Sequence, residues 1–135
     1  MEKVRELVAA IIIQNHRLLL VHNIKHGRRV EPPGGKREPG EKLEETLVRE
    51  CDEELGVKVN IQQKIGVYHT DTPEGGFDCH LYKCEILQGV PVLKEPHKFD
   101  KLEWYSYPEL EKLEKDGYLV QNVISAKEHL KVMMQ

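Results

Sequence analysis

The strongest constraint on this chain is the spacing of acidic and apolar residues between Gly35 and Val57, GKREPGEKLEETLVRECDEELGV. Read as a helix from about Lys42 to Leu55, the stretch gathers Leu43, Leu47, Val48, Cys51 and Leu55 into one apolar stripe and leaves charge elsewhere. Such a stripe is expected to dock on a sheet. Gly56 stands where a left-handed cap ends a helix, and Gly40 or Glu41 stands at its start. Glu50, Glu53 and Glu54, with Asp52 beside them, crowd the last two turns, where the negative end of the macrodipole disfavours anions. The arrangement costs stability, so a function is sought for it.

Glu50, Glu53 and Glu54 form an i, i+3, i+4 set, which puts three carboxylates within reach of one point beside the apolar stripe. Like charges so placed repel. A hard divalent cation offsets the repulsion, since Mg²⁺ takes oxygen ligands octahedrally from few carboxylates, waters and substrate phosphates. A charge run by itself more often means a solvated face. The spacing decides against that reading, because the stretch resembles the Nudix box, G-x5-E-x7-R-E-U-x-E-E-x-G-U, with U an aliphatic or small apolar residue. Gly35, Glu41, Arg49, Glu50, Glu53, Glu54 and Gly56 fill the identities, and Cys51 and Val57 the two U positions. At roughly 5–7% usage per residue type, that many identities coincide by chance about once in 10⁹ starting positions.

The chain has 135 residues, the size of one domain with a real core. Its net charge of −3, from 20 basic and 23 acidic residues, lacks the basic footprint of a nucleic-acid binder, so long polynucleotides are not expected partners. The longest apolar run, Leu7 to Ile13, is too short to span a membrane and has no cleavage site after it. Cys51, Cys79 and Cys84 are odd in number and lack metal-ligand spacing, which suits reduced thiols in a cytoplasm.

Val4 to Ile13 reads as a buried strand that turns at Gln14-Asn15-His16 into a second strand, Arg17 to Ile24. His22 in that strand reads as a structural histidine. Lys25 to Arg29 is a short basic loop, continued by Lys36 and Arg37, whose natural counterion is polyphosphate; Arg28 and Arg29 are candidate substrate contacts. Glu31 to Gly35 is extended by its prolines and ends in a glycine pair that lets backbone approach a ligand closely. Lys58 to Thr70 and Phe77 to Leu87 read as antiparallel strands joined through Asp71 to Gly76. A polar loop, Gln88 to Asp100, leads to a short strand, Lys101 to Tyr105, in which Trp104 is either a base-stacking group or a core anchor. Pro108 to Leu113 and Val120 to Met133 read as helices broken at Gly117. These elements predict an α+β fold with helices on two faces of a sheet.

The resemblance implies the Nudix α/β/α sandwich, with a mixed central sheet and the box helix packed on it, over a single domain of residues 1–135. It implies Mg²⁺, or Mn²⁺, and hydrolysis of a nucleoside diphosphate derivative by attack of water on a bridge phosphorus. Glu53 and Glu54 match the metal-ligand positions, Glu50 that of metal ligand or general base, and Gly34 offers a carbonyl to the metal. Arg49 is expected to orient the carboxylates and Glu41 to support the loop. Pro33 to Glu41 is similar to the PGGK-x-E-x-GE segment of MutT-like members, and Gly35 and Lys36 within it are candidate substrate contacts. Those members use a later-loop glutamate, for which Glu95 is the candidate as metal ligand or base. Asn122 falls where some relatives read the purine edge. The expected substrate is an unmodified or oxidised (deoxy)nucleoside triphosphate cut to monophosphate and pyrophosphate, acted on by a monomer or homodimer. ADP-ribose and dinucleoside polyphosphates are the alternatives, as is a non-catalytic nucleotide-sensing module; the placement of Pro73 resembles the ADP-ribose subgroup, but Pro73 is read as a residue of the Asp71 to Gly76 turn.

Overall fold

In the computed structural model, which describes residues 5–135, the apolar run from Leu7 to Ile13 lies within β1 (Arg5–Gln14), and it is continuous because both faces of that strand are covered. Val4, predicted to open the strand, lies outside the described residues. Val8, Ala10 and Ile12 pack on one side with Leu47, Cys51 and Leu55, whereas Ala9 and Ile11 pack on the other with Leu110, Val123 and Leu130. The chain is therefore a helix–sheet–helix sandwich, as predicted.

β1 is also the hub of the pairing. It hairpins with β2 (Arg17–Asn23) through Asn15 and His16, both at positive φ, lies antiparallel to β4 (Gly34–Lys36), and runs parallel to β6 (Gly75–Gln88). That parallel pair makes the sheet mixed. β6 returns from β5 (Lys58–Thr72) as a long antiparallel hairpin, and β2 carries β3 (Arg29–Glu31) and β7 (Phe99–Tyr105) on its flanks. Backbone pairing makes two short strands of the segment predicted only as basic loop and extended lead-in.

α1 (Leu43–Leu55) ends at Gly56, which adopts φ 68°, the left-handed cap expected of it. Its start is Lys42, whose N–H donates to Glu45 at 3.0 Å. The docking face differs from the predicted stripe at three positions: Val48 is exposed, and Thr46 and Glu54 are buried. α2 (Tyr107–Lys115) is capped by Ser106. The last predicted helix is two, α3 (Gln121–Ser125) and α4 (Lys127–Met133), broken at Ala126 with ψ near zero. The apolar spacing Val123, Ala126, Leu130, Met134 runs through the break, so periodicity alone does not show it.

Candidate active site

Arg49 is the organising cation of the acidic helix. Its guanidinium donates through Nε and Nη2 to both carboxylate oxygens of Glu41 at 2.8 and 3.0 Å, and through Nη1 to Glu50 at 3.0 Å and Glu53 at 3.2 Å. Glu41 also accepts from the Glu38 N–H and the Thr46 hydroxyl. The Arg49 fork holds its carboxyl down at about 2, and burial opposes this only in part. Arg49 thus contacts the carboxylates of Glu41, Glu50 and Glu53, and Glu41 joins the loop at Glu38 to Thr46 of the helix.

The three helix carboxylates diverge more than their spacing predicts. Glu53 is exposed and turned to Arg49. Glu50 is half-buried, with its carboxylate against the backbone of Gly35: a Cβ at Gly35 would lie 2.4 Å from Glu50 Cδ. Burial raises its pKa, Arg49 lowers it, and neighbouring Glu53 raises it, with a net upward shift. Glu54 is only 1% exposed and points inward, where it accepts from the Gly34 N–H at 3.1 Å and lies 4.0 Å from the Lys98 ammonium. Burial pushes its pKa well above the usual carboxylate range, against the pull of Lys98. Among the described residues, no three acidic, histidine or cysteine side chains enclose an ion in this arrangement. The donor set nevertheless fits a hard divalent cation. It is oxygen-only, and Glu54 is a buried carboxylate with a single hydrogen bond and one loosely placed counter-charge.

A cleft of about 490 Å³ opens beside this helix. Gly34, Gly35, Lys36, Glu50 and Lys98 line it, together with Glu31, Thr70, Phe77, Cys79 and Asn122. Lys25, His26 and Arg29 add positive charge. Four buried side-chain polar atoms among the described residues have no hydrogen-bond partner, and three of them, Glu31 Oε1, Thr70 Oγ1 and Asn122 Oδ1, belong to residues of this cleft. Orphaned buried acceptors are costly, so their concentration here points to a polar ligand.

Gly34, Gly35, Lys36, Arg29, Glu50 and Asn122 share one cleft, whose lining does not include Glu53 or Glu54. Arg28 does not reach it: its guanidinium is bidentate to Asp100 at 2.8 and 2.7 Å and contacts His22, itself buried and bonded to Tyr105. Trp104 pairs with Leu19 on the α1 face, packs into the core there and lies outside the cleft, because strand alternation turns it that way. Glu95 is likewise outside. Its carbonyl closes a turn by accepting from Lys98 and Phe99, and that turn delivers Lys98 to the cleft in its stead. Lys98, Glu31 and Thr70 carry no local sequence signal that marks them as site residues.

The model of the NUDIX domain family matches residues 4–124. A curated CTP pyrophosphohydrolase of Escherichia coli strain K12 is 30% identical over 107 residues, covering 77% of each chain. Among solved structures, a NUDIX hydrolase from Nitrosomonas europaea superposes with a TM-score of 0.80 at 23% identity, covering 95% of this chain and 88% of that one. A MutT protein of methicillin-resistant Staphylococcus aureus 252 gives 0.74 at 27% identity over 98% and 99%. No helix among the described residues is long and apolar enough to cross a membrane.

Proposed function

The chain belongs to the NUDIX family of pyrophosphohydrolases, which use divalent cations, and on that premise we propose that it hydrolyses a (deoxy)nucleoside triphosphate, unmodified or oxidised, to monophosphate and pyrophosphate with Mg²⁺. The observation that carries the proposal is a single cleft that joins the box carboxylate Glu50 and the Gly34-Gly35 entry to three unpartnered buried polar atoms. A nucleotide has matching parts: a polyanion that needs cations, and a base edge that needs hydrogen bonds.

Glu50, Glu53 and Glu54 would hold the ion, and the Gly34 carbonyl would serve as a further oxygen ligand. When bound, such an ion neutralises phosphate oxygens and acidifies the attacking water. Glu50, whose proton affinity is raised by burial against Gly35, suits a proton acceptor from that water. Arg49 restrains Glu50 and Glu53 so that they do not have to be ordered during the reaction. Lys36 and Arg29 face the cleft as phosphate contacts. Glu31, Thr70 and Asn122 would take the base. The residues 1–135 are read as one domain, in a reducing compartment such as the cytoplasm, consistent with Cys51, Cys79 and Cys84 being free and buried.

The relative's name points to a pyrimidine triphosphate, while Pro73, which turns the β5–β6 hairpin and also lines the cleft, keeps ADP-ribose as a second reading. The test offers the purified protein all common nucleoside triphosphates, oxidised dGTP, ADP-ribose and diadenosine tetraphosphate, with Mg²⁺ and with chelator, and identifies products by chromatography. The expected result is Mg²⁺-dependent release of monophosphate and pyrophosphate from a triphosphate. Turnover of ADP-ribose alone would favour the second reading, and metal-dependent turnover of none would leave a nucleotide-sensing module.

A further inference from the structure

Lys98 occupies a position among the carboxylates that the proposed reaction has not yet used. Its ammonium lies 4.0 Å from Glu54 Oε1, its side chain lines the cleft with Glu50, Gly34 and Gly35, and about a third of it remains exposed. The backbone that presents it is tied on both sides. Its N–H donates to the Glu95 carbonyl and its carbonyl accepts from the Ile24 N–H. The preceding loop is stitched to the end of α1, Val92 N–H to the Leu55 carbonyl and Lys94 N–H to the Glu54 carbonyl. Lys98 is therefore held in register with Glu54.

Three other cations of the cleft already face carboxylates. Lys36 pairs with Glu74, Arg37 with Glu6, and Arg29 lies 3.9 Å from Glu31. Glu54, by contrast, has Lys98 as its one ion-pair partner among the described residues. The contact is too long for a hydrogen bond, and the ammonium is on a flexible stem, so the pair is made to be separated.

We propose that Lys98 is an exchangeable counter-ion: it neutralises Glu54 while no divalent cation is bound, and when one takes Glu54 it moves to an oxygen of the substrate diphosphate. Lys98 thereby opposes metal binding to the free protein and supports binding of the polyphosphate. This rests on the reaction read above, so its test uses probes that need no turnover.

Lys98→Met keeps the aliphatic stem and removes the charge, and Lys98→Gln provides a second neutral variant should the first fail to fold. Calorimetric titration with Mn²⁺ alone is expected to show about tenfold tighter binding in the neutral variant than in wild type. Titration with inorganic pyrophosphate at saturating Mg²⁺ is expected to show about tenfold weaker binding, substantially restored by Lys98→Arg. Unchanged or weaker Mn²⁺ affinity in the neutral variants, or unchanged pyrophosphate affinity, would overturn the proposal. Absence of nucleotide turnover by wild type would count against the reaction alone, since both titrations read Lys98 without it.

Discussion

Glu54 sits at the negative end of a helix dipole, beside Glu50, and 1% exposed. Each circumstance opposes its charge, and the Gly34 N–H with a distant Lys98 offsets them only in part. Its folded pKa is raised above the unfolded 4.5, so its proton stabilises the fold; that contribution is whole below 4.5 and is lost as pH rises towards the folded value. Glu54→Gln in metal-free buffer should therefore melt above wild type at pH 7 to 8, with the gap closing towards pH 4.5. Glu54→Ala should be less stable than Glu54→Gln by about 1–2 kcal/mol, because it strands the Gly34 donor. Thermal unfolding of the variants across that pH range checks both. The dipole alone predicts the first result, but the Gly34 partner, invisible in the sequence, is what separates glutamine from alanine.

At the scale of elements, the box helix is built as a capped lever with its cation network at one side. Glu41, just before α1, and Arg49, two turns into it, are joined by a bidentate pair that fixes the glycine-containing loop to the helix. With Glu41 held at about 2 against 4.5 unfolded, its stabilisation is present above 4.5 and is lost as pH falls from there through about 2. Glu41→Gln should accordingly lower stability at pH 7 and converge on wild type as pH approaches 2, measured by urea unfolding at stepped pH. A difference that stays constant with pH would assign the loss to packing. This helix, its Gly56 cap and the Arg49–Glu53 pair were legible because they rest on spacings within a few turns of one chain segment, whereas the Arg49–Glu41 pair was not read from the sequence. Val48 was not: an apolar residue at the edge of a stripe is buried or exposed according to what the sheet beneath it reaches.

The whole molecule decides how a base edge could be met. Asn122 reaches the cleft because residues 118–120 are laid against β3: Val30 N–H donates to the Tyr118 carbonyl, and Val120 N–H to the Val30 carbonyl. Gln121 then accepts from the Asp71 N–H of β5. Segments far apart in sequence thus bring Glu31, Thr70 and Asn122 together. Asn122→Ala should raise KM about three- to tenfold, the loss of one net hydrogen bond, with little change in kcat and a narrowed preference between purine and pyrimidine triphosphates. Steady-state kinetics on paired substrates tests it, and a fall in kcat at constant KM would place Asn122 with the reacting groups instead. The same scale explains the misplaced candidates. Arg28, Trp104 and Glu95 lie near the cleft in sequence terms, but the β2–β7 register and the Glu95–Lys98 turn direct them away. By itself the sequence determined the layered fold, the box helix and the kind of bond attacked, because helix period, strand alternation and the order of glutamates are local properties of a chain. Only the tertiary structure decided which cations and polar groups face the cleft, since that follows from pairings between distant segments whose register no local spacing encodes.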